Sequence, residues 1–198
     1  HDFPGAFTST LRVRRSQPSD GLASVAVTYP VLLGAIAGVN ERGLAVCLNQ
    51  GYATDLKRLR PGLFTTHWVQ ACLDGCDSVT AAIELLRGAR FANGGIITLM
   101  DERDAAAVEL SPTRFAVRRL HTDAPLVSFN RYAEPALQEV EIPVGAITTG
   151  IGGGIDVHRC NLPSAAQYER LCQHNAYPDT NWDDARISRL LAAHDGGD

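Results

Sequence analysis

Two asparagines occupy positions from which an amide side chain could serve acyl transfer. Asn49 ends the apolar run Leu44-Ala45-Val46-Cys47-Leu48, and Asn130 ends Leu126-Val127-Ser128-Phe129. An Asn at a strand terminus can aim its NH2 into a cleft, and a fixed N–H donor is what the oxyanion of a tetrahedral intermediate requires. Asn also closes turns by bonding nearby backbone. Spacing alone leaves both roles open.

Other reactive groups carry less. Cys47 is a conceivable thiol nucleophile, but a cysteine inside an apolar strand with no assigned base reads as core. With Cys72, Cys76, Cys160 and Cys172 it fits neither a zinc ribbon nor a redox Cys-x-x-Cys. Reduced thiols, and hence a cytoplasmic location, are expected. The histidines at 1, 67, 121, 158, 174 and 194 include no pair at helical metal spacing, and His158 with Cys160 has no partner cluster, so no metal site is expected. A Ser/His/Asp triad is not excluded by spacing, but no Gly-x-Ser-x-Gly supports one. Gly150-Ile151-Gly152-Gly153-Gly154 resembles a phosphate cradle only superficially, because such glycines must lead from a strand directly into a helix. Here residues 155–160 intervene and Pro163 follows, so a flexible loop is expected, one that could lie over a site.

The elements that must position these groups follow from periodicity. Residues 22–29, 32–39 and 44–49 read as strands, the last two joined at Asn40-Glu41-Arg42-Gly43 into an antiparallel hairpin with Gly43 at positive φ. Residues 65–73 follow a helical pattern with Thr65 or Thr66 as N-cap. A second helix is capped by Asp77 or Ser78 and carries Val79, Ala82, Ile83 and Leu86 on one face before Gly88. Strands are predicted over 95–100, 106–110, 114–120 and 126–129, then helices near 164–174 and 182–193. Strands, two helices, strands, two helices make an α+β fold of mostly antiparallel sheet in a single domain over 1–198.

Composition narrows the partners. The formal charge is −4, from 18 Lys and Arg against 22 Asp and Glu, and Lys57 is the single lysine. Arg12, Arg14 and Arg15 form the densest basic cluster, which reads as a solvated strand edge, so no nucleic-acid partner is expected. No apolar run reaches the ~18–20 residues of a membrane helix, the longest (25–39) being broken by Pro30 and two glycines.

The stretch from Gly38 to Gly51, with Gly38-x-Asn40-Glu41-x-Gly43-Leu44 ahead of Asn49, resembles the signature of the choloylglycine hydrolase and isopenicillin-N acyltransferase relatives. These are N-terminal-nucleophile hydrolases acting on linear amides. Further matches occur in order. His1-Asp2-Phe3-Pro4 resembles the tail of that family's Arg-Asn-x-Asp segment, and Ser128-Phe129-Asn130-Arg131-Tyr132 resembles its Thr-Asn segment before a Pro. Ser164 with Tyr168-Glu169-Arg170-Leu171 resembles its Ser-x-x-Arg helix, and Leu190-Leu191 with His194-Asp195-Gly196 the segment leading to its last strands.

The resemblance implies an αββα sandwich of antiparallel sheets and a nucleophilic N-terminal Cys that serves as its own base through the free α-amine. It implies that Asn49 binds the oxyanion, Asn130 assists there or orients the amine, Asp2 holds the amine or thiol, and Arg170 completes the polar framework. That Cys and the motif's Arg belong upstream of His1, so the chain reads as trimmed at both ends. Gln167 stands where the bile-salt branch places an Arg, and the assignment to Arg170 follows the acyltransferase-like branch. The implied partner is a small-molecule acyl amide, with no cofactor, and a homo-oligomer is compatible with the reading. The alternative is a non-catalytic relative that binds a small acyl ligand or a protein partner.

Overall fold

Period-two alternation of apolar side chains builds one sheet. The computed structural model describes residues 10–55, 61–121 and 126–143, together with the backbone of 147–150 and 153–156. The strands are β1 (Arg12–Ser16), β2 (Ser24–Thr28), β3 (Ala37–Asn40), β4 (Ala45–Gln50), β5 (Gly95–Met100), β6 (Ala105–Leu110) and β7 (Phe115–Arg119). They lie side by side in chain order, each antiparallel to the next. Helices α1 (Thr65–Gly75) and α2 (Val79–Arg87) are inserted between β4 and β5.

Both helices cover one face. Val69, Cys72, Leu73 and Cys76 follow the i, i+3, i+4, i+7 spacing of a helix stripe, and Val79, Ala82, Ile83 and Leu86 repeat it. They pack on Ala26, Val46, Leu48, Ile97, Leu99 and Val108 of the sheet. This is the larger core, and burying such apolar area is the main favourable term in folding. The opposite face is covered over β4–β7 by residues 126–143, which include the short helix α3 (Pro135–Gln138). There Ala53, Ile96, Ala107, Tyr132 and Leu137 form a second buried cluster.

The β3–β4 hairpin turns through Gly43 at φ +83°, as the sequence predicts. Asn40 holds the turn: its Oδ1 accepts from the backbone N–H of Arg42 and of Leu44, both at 3.1 Å. Its Nδ2 donates to the carbonyls of Leu73 (3.0 Å) and Cys76 (2.7 Å). Those are carbonyls at the end of α1, which no residue within the helix can satisfy.

Of the two caps expected for α2, Ser78 is the one in place, accepting from Ala81 N–H at 3.3 Å. Other expectations are corrected. Neither Thr65 nor Thr66 is the N-cap of α1; Phe64 holds that position, and Asn93 Oδ1 accepts the Thr65 N–H at 2.9 Å instead. Residues 126–129 form no strand, because they cross the covered sheet face rather than join an edge. The glycine-rich stretch is not a plain loop: β8 (Ile147–Gly150) and β9 (Gly153–Asp156) pair as a hairpin, with Gly150 opposite Gly153. Arg12 and Arg14 do share one strand face, but Arg14 is docked, donating to Gly34 O at 2.9 Å and to Gln70 Oε1. The helices expected near 164–174 and 182–193 lie outside the described residues.

Candidate active site

On β4, Val46 and Leu48 face the helices, so Cys47 and Asn49 project from the opposite face. In register, Asn49 lies beside Ile96 and then Glu109, and Cys47 beside Thr98 and then Ala107.

Asn49 and Asn130 meet on this face. Nδ2 of Asn49 lies 3.5 Å from Oδ1 of Asn130, and the Gln50 backbone N–H donates to the same oxygen at 3.1 Å. A backbone N–H can only donate, so the atom facing it must be the amide oxygen. The Asn130 NH2 is thereby turned to the other side of the amide, and among the described residues no hydrogen bond engages it. The long Asn49 contact also leaves that NH2 with donor capacity. Two amide side chains with donor capacity therefore meet at the end of β4, and an amide N–H is a group that can bind an oxyanion.

Asn130 owes its place to the segment around it. Glu109, fully buried on β6, accepts the Ala133 N–H and the Glu134 N–H, each at 2.9 Å through Oε2. Its Oε1 takes Arg118 Nε at 2.7 Å, and Arg118 Nη2 donates to Val127 O at 2.9 Å. Glu141 accepts from Tyr132 N–H and Arg131 Nη2, both at 3.0 Å. The Tyr132 hydroxyl donates to Leu110 O at 2.9 Å. Burial, reinforced by the carboxylates of Asp55, Glu141 and Glu109, raises the Tyr132 pKa and keeps that hydroxyl a neutral donor. A Cβ on Gly51 would lie 2.6 Å from the Tyr132 hydroxyl, so only glycine admits the ring here.

Cys47, expected in the core, is instead exposed on the Asn49 face. The reason is parity: its neighbours Val46 and Leu48 take the two inward positions. Although the residue as a whole is exposed, desolvation around the thiol raises its pKa, the opposite of what a nucleophilic thiolate needs. Asp2 and Arg170 lie outside the described residues. Among the described residues no cluster of three His, Cys, Asp or Glu could hold a metal ion, and no helix is long and apolar enough to cross a membrane.

Glu109, Arg118, Tyr132 and Glu141 were not among the residues singled out from the sequence. Glu109 did carry a signal, as the one acid in the otherwise apolar strand Ala105-Ala106-Ala107-Val108-Glu109-Leu110. A buried acid predicts a buried partner. Tyr132 appeared only as the last residue of the Ser128–Tyr132 segment, with no role attached, and Glu141 carried no signal.

Residues 2–148 match the family described as acyl-coenzyme A:6-aminopenicillanic acid acyl-transferase. No curated protein sequence matches the chain. Among solved structures, the N-acylethanolamine-hydrolyzing acid amidase ortholog of Caenorhabditis elegans is similar at TM-score 0.62 and 14% identity, over 98% of this chain and 77% of that one. A variant of conjugated bile acid hydrolase from Clostridium perfringens is similar at TM-score 0.54 and 13% identity, over 86% of this chain and 63% of that one. Penicillin V acylase from Agrobacterium tumefaciens aligns at TM-score 0.40 and 24% identity, over 54% of this chain and 38% of that one. The chain thus spans less than two thirds of the length of the last two. At identities this low, the first two likenesses are likenesses of fold.

Proposed function

The chain belongs to the acyl-coenzyme A:6-aminopenicillanic acid acyl-transferase family, and from that premise we propose that it acts on the carbonyl of a linear acyl amide, through an N-terminal Cys upstream of His1. The α-amine of that Cys, with an ordinary pKa of about 7.7–8.0, takes the thiol proton. The thiolate adds to the carbonyl carbon, and the C=O electron pair moves onto oxygen. Asn49 and Asn130 donate their amide N–H groups to that oxyanion. Collapse of the adduct breaks the C–N bond, and the leaving amine takes the proton held by the α-amine. Water then releases the acyl group as an acid, or an amine accepts it. Which of the two prevails depends on how well the closed site excludes water. Asp2 holds the α-amine or thiol, and Arg170 completes the polar framework. The substrate is a small molecule, and no cofactor is required.

One observation supports the reading above the rest. The Gln50 N–H fixes the Asn130 amide through its oxygen, next to the long Asn49 contact, which leaves the Asn130 NH2 without a hydrogen bond among the described residues. The test uses the full-length protein: intact mass and N-terminal sequencing, then turnover of chromogenic acyl para-nitroanilides with and without thiol alkylation. A chain that begins with Cys and loses activity in step with alkylation is expected. Removing one oxyanion donor costs roughly 10²–10³ in turnover, so Asn49→Ala should lower kcat by that factor in a folded protein. A loss below threefold overturns the role of Asn49. A protein that begins at His1 and turns over no amide overturns the enzymatic reading in favour of a binding relative.

A further inference from the structure

Glu109, fully buried, and Arg118, largely buried, form an ion pair that has no hydrogen bond to either asparagine, yet both ends of the pair grip the segment that carries Asn130. Arg118 holds Val127 on one side of Asn130, and Glu109 holds Ala133 and Glu134 on the other. Ala116 is the cross-strand partner of Glu109, which makes Arg118 its diagonal neighbour on the same face. The surroundings are apolar: Ile96, Ala107 and Leu137 are fully buried. Burying a charge pair there gains little over apolar packing, because desolvation offsets most of the attraction. What an apolar pair could not do is fix three backbone groups of a crossing segment at defined points.

We propose that Glu109 and Arg118 are positioning residues that set the Asn130 amide at the site. The inference rests on Asn130 serving the reaction as a donor. Asn130 has one anchored atom, its Oδ1 against Gln50 and Asn49, so the location of its NH2 depends on where its backbone is held. Donors that stabilise developing charge must be held to within about 0.5 Å. The pair, with Glu141 holding Arg131 and Tyr132 between its two grips, supplies that restraint.

The test is a double-mutant cycle in the full-length protein, with an acyl para-nitroanilide as substrate. Glu109→Gln keeps the shape but turns one acceptor into a donor facing backbone N–H groups. We expect kcat to fall at least tenfold with KM within threefold. In an Asn130→Ala background the same change should lower kcat less than twofold further, because there is no amide left to position. Arg118→Met is the second probe and should behave alike if Glu109→Gln does not fold. Arg118→Lys, which keeps the charge but loses the forked reach, should recover at most part of kcat. If Asn130→Ala is neutral, the donor role of Asn130 falls and this inference with it. If Asn130→Ala is damaging but Glu109→Gln and Arg118→Met are silent, or cost the same factor in both backgrounds, the positioning role alone is overturned.

Discussion

Asn40 and Asn49 bracket one hairpin strand, and their surroundings give the two amides different work. Asn40 is buried, and its side chain makes four hydrogen bonds, two within the turn and two to carbonyls at the end of α1. It has no capacity left for a ligand. Asn49 is half-buried and makes one long contact. Asn40→Ala should therefore lower unfolding free energy by about 1–3 kcal/mol, since it leaves buried carbonyls and N–H groups unpaired. The urea midpoint reads this, while kcat stays within threefold; unchanged stability would show that the turn holds without the amide. The sequence places Asn40 in the turn but leaves Asn49 open, because turn closure and ligand donation draw on the same side chain. Only the distant partners, Leu73 and Cys76 for one and Asn130 for the other, separate them.

At the scale of elements, the β5–β6 turn caps α2 from outside the helix. Asp101 Oδ2 accepts the Val79 N–H at 2.7 Å, and its Oδ1 accepts from Arg103 (2.8 Å) and Asp104 (2.9 Å). The Val79 bond first, then that of Arg103, holds the Asp101 carboxyl below its ordinary value. A depressed carboxylate contributes stability above its unfolded pKa of about 3.9 and loses it as pH falls through the folded value. Asp101→Ala should cost about 1 kcal/mol at neutral pH, as lost caps do. The gap to wild type in thermal midpoint should close below the folded pKa, and a gap that persists in acid would mean the carboxylate charge is not its source. Helices and strands with apolar stripes are legible in the sequence, α2 within a residue of its bounds. The misread elements are those whose apolar runs face something other than the sheet's own ladder. Leu126-Val127-Ser128-Phe129 looks like a strand because three of its four side chains are apolar, but its Val127 carbonyl is taken by Arg118. Cys47 was misplaced for a related reason: the run Val46-Cys47-Leu48 is apolar throughout, so composition hid the parity that puts Cys47 beside Asn49.

At the scale of the molecule, the described residues form one large sheet with two separate cores, and the candidate site lies on the side of the smaller. The helix-side core fills the space between α1, α2 and the sheet, whereas the Tyr132 cluster holds residues 126–143 to the opposite face. The family signature read from Gly38 to Gly51 spans both: Asn40 and Leu44 serve the first, Asn49 and Gly51 the second. That division predicts separable failures. A methyl on Gly51 would meet the Tyr132 hydroxyl at 2.6 Å, its Cζ at 2.7 Å and Gly95 N at 2.9 Å, two of them in a ring that is itself buried. Something must move, and the ring has less holding it than the strands have, since β4 and β5 are laddered along six residue pairs. Gly51→Ala should therefore loosen residues 126–143 while α1 and α2 stay packed. Hydrogen exchange should rise at Tyr132, Ala133 and Glu134, whose N–H groups Glu141 and Glu109 hold, and stay unchanged at the Cys76 N–H bonded to Cys72 O. Turnover should fall along with the loss of protection around Asn130. Equal loss of protection on both faces would mean that the two cores melt as one unit, and the site would then be no more labile than the fold.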